Sequence, residues 1–374
     1  MKKTLIALAA LSAAASFAQS SVQIVGTFDP SIANEKTTYA NGNSVSQNYV
    51  RNNSQGTSQI TFKGTEDLGG GLKASFLFEN DFDTRFDANG NAWNGKNNFG
   101  SGGGEQFLAL AGNFGQVQVG AANTPSLTAQ ASRSPFSTKI GGGFGTTSGT
   151  KHVRNNNSVV YTTPVFSGFS AAVGYAMATN ADINAAGAYN ISTGEAKTVA
   201  ALNTKAVGAI VDLGLNYANG PVAAGVSYYQ VDSVAAVANA LGVTTATTSA
   251  AGKNKQTNLY GSYDFGVAKL IAGYHTETTD GATAGAAKAL DATGYNVAAV
   301  VPLNANLSLL ANFAKLDDKL AANNDQKVSA IGLKYTMSKN TSIYARYVDQ
   351  KTDNVTGNGV SGIKTSLVGM QTNF

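Results

Sequence analysis

Sixteen β-like segments, joined alternately by tight turns and by longer polar connections, set the narrowest limit on what this chain can become. They run approximately over 21 to 33, 56 to 66, 70 to 85, 104 to 112, 115 to 121, 157 to 163, 167 to 178, 204 to 217, 221 to 233, 255 to 264, 267 to 277, 292 to 302, 307 to 316, 327 to 337, 341 to 350 and 363 to 374. Seven connections are tight: Asp67-Leu68-Gly69-Gly70, Gly112-Asn113-Phe114-Gly115, Pro164-Val165-Phe166-Ser167-Gly168, Asn219-Gly220-Pro221, Asp264-Phe265-Gly266, Asn304-Ala305-Asn306 and Ser338-Lys339-Asn340. Each carries residues whose backbone preferences favour a reversal. The other eight are longer, so all long connections fall on one side and the short turns with both chain ends on the other. A closed up-and-down transmembrane barrel is built this way.

Side-chain alternation supports that reading. In Gln59-Ile60-Thr61-Phe62-Lys63 apolar and polar residues exchange at every step, which sends Ile60 and Phe62 to one face and Gln59, Thr61 and Lys63 to the other. Val117 and Val119 against Gln116 and Gln118 repeat the rule. Leu72, Ala74, Phe76 and Phe78 against Lys73, Ser75 and Glu79 do so again, with Leu77 interrupting the polar set. Tyr344 and Arg346 share one face while Ile343, Ala345 and Tyr347 share the other, so Arg346 is a candidate for an inner wall. A Lys or Arg turned toward mid-bilayer costs roughly 2 to 4 kcal/mol, which fixes the register of such strands. A soluble β-sandwich has the same period. Tyr217, Tyr228, Tyr263, Tyr335, Tyr344 and Tyr347, near segment ends, suit the aromatic girdles of a membrane barrel.

Composition and the amino terminus favour the membrane alternative. Lys2 and Lys3, the apolar run Leu5 to Ala15 and the small-residue ending Ser16-Phe17-Ala18 make residues 1–18 an export signal, with the remaining chain expected to begin at Gln19. That run is too short to span a membrane as a helix, which needs ~20 apolar residues. Of 26 Lys and Arg, Lys2 and Lys3 leave with the signal; 24 basic residues then face 22 acidic ones, a balance that gives no reason to expect nucleic acid as a partner. Cysteine is absent, so no disulfide framework or thiolate metal site is available. Charged residues are 13% of the chain against ~25% in ordinary soluble domains. The expectation is an all-β, 16-stranded antiparallel transmembrane β-barrel in a single domain over residues 19–374, exported to a cell's outer membrane and bathed in its lipid.

The third long connection, residues 122–156, is the candidate functional element. A loop of this length in a compact chain is functional or disordered. It contains Arg133, Lys139, Lys151 and Arg154 and neither Asp nor Glu. We expect it to fold inward and form a positively charged constriction.

The chain resembles a known family at several points. An alternating segment ending in Phe374 is similar to the closing strand of Gram-negative outer-membrane barrels, in which a terminal Phe serves as the assembly signal. Ser21-Val22-Gln23-Ile24-Val25-Gly26-Thr27-Phe28-Asp29 resembles the opening strand of the general porins of β-proteobacteria, the neisserial and Comamonas-type family. Gly64-Thr65-Glu66-Asp67-Leu68-Gly69-Gly70-Gly71-Leu72-Lys73-Ala74 and Gly112-Asn113-Phe114-Gly115 resemble its first two turns, and Tyr161-Thr162-Thr163-Pro164 with Phe169-Ser170-Ala171 continues the likeness. The resemblance implies a homotrimeric, water-filled channel that lets ions and small hydrophilic solutes diffuse and is narrowed by its inward-folded third loop. Arg154, before Asn155-Asn156-Asn157, matches a constriction arginine, and Lys63 matches a basic wall position. Gln59 and Glu105 stand where that family often has arginine. A carboxylate at 105 facing Arg154 would offset an otherwise anion-preferring constriction.

Other chemistry has little material. The two histidines, His152 and His275, make a thin basis for an enzyme. Asp81, Asp83 and Asp87 lack the glycine and terminal glutamate of an EF-hand loop and read as a solvated strand end, so neither a metal nor another cofactor is expected. Gly90-Asn91-Ala92-Trp93-Asn94-Gly95-Lys96-Asn97 has the glycine spacing of a phosphate-binding loop but places Asn97 where a hydroxyl is needed. A surface adhesin or receptor barrel acting through its external loops is the alternative to a channel.

Overall fold

The computed structural model describes residues 21–85, 103–143, 153–180, 189–190, 195–196, 205–232, 252–281 and 286–374. All sixteen expected segments form strands. The first two are each in two pieces: β1a (Ser21–Phe28) and β1b (Pro30–Tyr39), then β2a (Ser44–Asn52) and β2b (Gln59–Gly69). There follow β3 (Leu72–Asp81), β4 (Gln106–Gly112), β5 (Gly115–Ala121), the helix α1 (Pro125–Ser132), β6 (Ser158–Thr162), β7 (Phe169–Ala176), β8 (Ile210–Asn219) and β9 (Val222–Asp232). The remaining strands of the barrel sheet are β10 (Lys253–Asp264), β11 (Lys269–Thr279), β12 (Leu290–Pro302), β13 (Leu307–Asp318), β14 (Gln326–Thr336), β15 (Thr341–Thr352) and β16 (Val360–Asn373); Thr179–Asn180 with Lys205–Val207, and Tyr189–Asn190 with Glu195–Ala196, form two further two-stranded sheets. Every neighbouring pair is antiparallel, and β16 returns to pair with β1b and with the end of β1a, closing the barrel. Closure leaves no unpaired sheet edge, the condition for strands to cross a membrane. No helix among the described residues is long and apolar enough to do so.

The faces divide as the alternation requires. Ile24, Leu108, Val119 and Val368 are more than half exposed on the outside. Polar residues such as Asp212, Asn258, Glu277 and Thr365 are buried on the inside, beneath material that fills part of the lumen. This arrangement inverts a soluble protein and suits lipid outside with water within. Tyr263, Tyr335 and Tyr347 lie outward, whereas Tyr344 is buried inside with its hydroxyl donating to Asp29 at 2.5 Å.

One connection differs from expectation. Residues 34–55, read as the first long loop, are mostly hairpin: β1b and β2a pair from Pro30 opposite Asn52 to Thr38 opposite Ser44, with Gly42 at φ 88° in the tip. Asn34 to Thr38 are polar on both faces, and Ser44 to Asn48 are polar apart from Val45, so no alternation betrays the strands. Between β2a and β2b the chain turns into the barrel. Asp29, fully buried at the break in the first strand, accepts from the Gln55 and Gly56 amides at 2.6 and 2.7 Å, while its own amide donates to Ser58 Oγ at 3.0 Å. Residues 1–18, the near-motif at 90–97 with Trp93, Asp87, Lys151 and His152 lie outside the described residues.

Candidate pore constriction

The third long connection leaves β5 and returns to β6 through a narrow neck. The Thr124 amide donates to the Val153 carbonyl at 2.9 Å, and Asn123 faces Arg154 in a β-bridge. There Glu105 accepts from the Asn123 amide at 2.9 Å and its Nδ2 at 3.0 Å. Arg154 reaches Asp81 at 3.2 Å and Glu79 at 3.9 Å and donates to the Gly103 carbonyl. Gln59 donates to Glu79 at 2.5 Å. Burial pushes the Glu105 carboxyl up, while the Asn123 amide and the Arg154 charge pull it back. Asp81, expected at a solvated strand end, is instead a partner of the loop, while Asp83 pairs with Arg85 at 2.7 Å. The single guanidinium thus stands among three carboxylates. Replacing Arg154 by Gln removes that offset, and about 0.5 kcal/mol of altered charge interaction across a wet pore corresponds to a roughly twofold shift of the permeability ratio toward cations. A reversal-potential measurement reads the shift directly.

Beyond the neck, α1 lies against the inner wall. Thr124 caps it, its Oγ1 accepting from the Leu127 amide at 3.1 Å, and Pro125 begins the first turn, where a missing amide proton costs nothing. Asp212 on β8 is fully buried; it accepts from the Ser126 amide at 3.1 and 3.2 Å and from the Ser126 hydroxyl at 2.6 Å. A Cβ added at Gly214 would lie 3.1 Å from Pro125, so glycine there lets the helix come close. Gln130 donates to Gln256 on β10 at 2.6 Å. Arg133, 1% exposed, follows the helix; burial lowers its pKa to about 10, which leaves it charged at neutral pH. A Cβ at Gly273 of β11 would lie 2.5 Å from its Cδ, and Asn296 of β12 donates to its carbonyl.

The far end of the loop is held by apolar contact and by a second cation. Phe136 is buried among Leu310, Val328, Ala330 and Val348 of β13 to β15. The Arg346 guanidinium sits 4.2 Å above its ring and donates to the carbonyls of Ser54 and Ile140 at 2.7 and 2.5 Å. Lys139 donates to Thr57 Oγ1 at 2.6 Å. The inturned 53–58 segment and the loop therefore meet. Beside them a cavity of about 280 Å³ is lined by Arg51, Thr138, Lys139 and Gln350 among others, with Arg51 3.7 Å from Glu35.

The expected residues thus separate. Gln59, Glu105 and Arg154 gather at the neck, Lys139 and Arg346 at the far end, and Arg133 lies sealed between. Lys63 is exposed on the inner face of β2b, opposite Leu77 of β3. Phe374 exchanges backbone hydrogen bonds of 3.1 Å with Gly26 at the seam. Asp212, Phe136 and Arg51 were not anticipated. Asp212 alone left a sequence signal, a carboxylate at the inward phase of the apolar run Ile210-Val211-Asp212-Leu213.

A closed sixteen-stranded barrel with an apolar outside, a polar inside and a loop strapped across its lumen defines a membrane channel. The chain belongs to the Gram-negative porin family, whose model matches residues 4–355. It is 30% identical over 387 residues to an outer membrane porin protein of Bordetella pertussis, covering 92% of this chain and 93% of that one. It is also 30% identical over 355 residues to outer membrane porin protein 32 of Delftia acidovorans, covering 92% and 88%. In structure it is similar to an anion-selective porin from Comamonas acidovorans, with a TM-score of 0.72 at 23% identity over 95% of this chain and all of that one. The protein is a porin of the outer membrane.

Proposed function

We propose that the barrel is a passive diffusion channel for ions and small hydrophilic solutes, without catalysis or cofactor, exported by residues 1–18 and assembled as a homotrimer after closure at Phe374. The observation that carries this reading is the third loop, fastened inside the barrel at Ser126–Asp212, Phe136 and Lys139–Thr57, where it narrows the lumen without a mobile gate being needed. Selectivity then comes from pore width and from charges facing the narrow zone.

A moderate preference for anions is supported by Lys63, Lys139 and Arg51 on the wet surface. Arg154 adds no net positive charge at the neck, where it offsets Glu79, Asp81 and Glu105, and Arg133 acts through its field rather than by contact. The test is the zero-current potential of the reconstituted protein across a bilayer in a tenfold KCl gradient. An anion-selective sign that weakens in the Lys139→Gln, Arg51→Gln double variant is expected. A cation-selective sign would transfer control to the neck carboxylates, and a folded protein without conductance would overturn the channel reading.

A further inference from the structure

The third loop covers only part of the inner wall. Its helix α1 lies against β7 to β10, Arg133 against β11 and β12, and Phe136 against β13 to β15. The wall that follows, from β15 across β16 to the break in the first strand, is covered by a different element. Residues 53–58, Asn-Ser-Gln-Gly-Thr-Ser, turn inward there and hold neither a charged nor an apolar side chain. All their partners face the lumen side. Gln55 Nε2 donates to Ser342 Oγ at 3.0 Å and to Gln371 Oε1 at 2.9 Å, the Ser54 carbonyl accepts from Arg346, and its hydroxyl lies 2.7 Å from that of Ser31. On the opposite flank Thr57 accepts from Lys139 of the loop, so the two elements meet end to end along the wall.

The inward excursion is closed at its base. Asn53, at φ 61°, reverses the chain, and its Oδ1 accepts from the Ser58 amide at 2.6 Å. Behind it Phe82 donates its amide to the Ser58 carbonyl at 3.0 Å, and Asn52 Nδ2 donates to the Phe82 carbonyl at 2.8 Å. The barrel wall is therefore continuous beneath the excursion. Within it the backbone is clamped, because Asp29 takes the Gln55 and Gly56 amides through one carboxylate oxygen and the Tyr344 hydroxyl through the other.

We propose that residues 53–58 are a second, uncharged jaw of the constriction, and that Gln55 and Thr57 set the size limit for neutral polyhydroxylated solutes while the third loop sets the response to charge. This rests on the channel reading above. A solute without charge gains nothing from the field of the loop and is admitted according to the width of the opening and the hydrogen-bonding groups that line it. Gln55, Gly56 and Thr57 are half-buried, so part of their amide, carbonyl and hydroxyl surface remains to line the passage.

Liposomes holding the full-length protein are diluted into isotonic arabinose, sucrose or raffinose, and their swelling is timed. Replacing residues 54–57 by a single glycine is expected to raise the ratio of raffinose to arabinose rates about threefold, and Thr57→Trp to lower it by a similar factor, passage near the size limit being steep in pore width. Neither variant adds or removes a charged side chain, so the sign of the KCl reversal potential should be kept. Should the shortened chain fail to fold, Thr57→Trp decides the matter. Unchanged sugar ratios in variants that still conduct ions would overturn the second jaw and leave the channel standing. A third loop newly cut by protease in the shortened variant would place the widening in the loop and overturn the proposal as well. An unaltered protein that passes neither sugar nor ions would instead overturn the channel reading, and the jaw with it.

Discussion

Replacing Asp212 by Ala is expected to raise the single-channel conductance and to lower the unfolding temperature of the barrel. The carboxylate is fully buried and takes both the amide and the hydroxyl of Ser126, the second residue of α1. A buried donor left without its acceptor costs roughly 1 to 3 kcal/mol, so the two bonds of this anchor are together worth about 2 to 6 kcal/mol. Without it Ser126 is buried with unmet donors, and the start of the helix is released from the wall into the lumen. Asp212→Asn keeps the shape and one acceptor and should fall between the two. Planar-bilayer conductance, with protease cleavage within residues 122–156 as a second readout, tests the claim. A variant with unaltered current and an uncut loop would show that the loop holds its position by other contacts.

Phe136→Ala should have the next largest effect, on the steadiness of the current rather than on its mean. Loss of a buried Phe costs about 3 to 5 kcal/mol, and this ring is held on one side by Leu310, Val328, Ala330 and Val348 and on the other by the Arg346 guanidinium. With the ring removed, Arg346 keeps its two carbonyl acceptors but the loop loses its wedge. Brief closures are expected in single-channel records as the far end detaches and re-seats. Because ring and guanidinium share a contact, Phe136→Ala and Arg346→Ala should combine to less than the sum of their separate destabilisations. Additive effects would mean that the cation–π contact contributes nothing of its own.

The strands were legible wherever one face is apolar. β5 matches its expected span at both ends because Gln116, Val117, Gln118 and Val119 alternate directly after a Gly112-to-Gly115 turn. β2a escaped notice because its outward residues Ser44, Ser46 and Asn48 are all polar, and a strand without an apolar outward face lacks the lipid-facing period that marks the others. The third loop announced itself by length and charge. Its partners did not, since Ser126 and Asp212 are 86 positions apart and only the closed barrel brings them together. The meaning of Arg154 changed for the same reason. As a residue of an uninterrupted basic loop it suggested a positive ring; the pairing of β3 with β2b and β4 places Glu79 and Asp81 beside it.

The seam between β1a and β16 has a consequence in time. Thr27 and Asn373, hydrogen-bonded at 2.8 Å, are 346 residues apart, whereas most neighbouring strands are joined by short turns or by connections of a few dozen residues. Contacts between distant residues must overcome a larger loss of chain entropy before they form, and folds that depend on them assemble slowly. Hairpins can therefore grow along the chain while both outermost strands still offer unpaired amides and carbonyls to any passing strand, the condition under which sheets aggregate. Until the final segment arrives the nascent barrel is an open sheet with two adhesive borders, and its safe passage through that interval depends on how soon Gly26 and Phe374 meet.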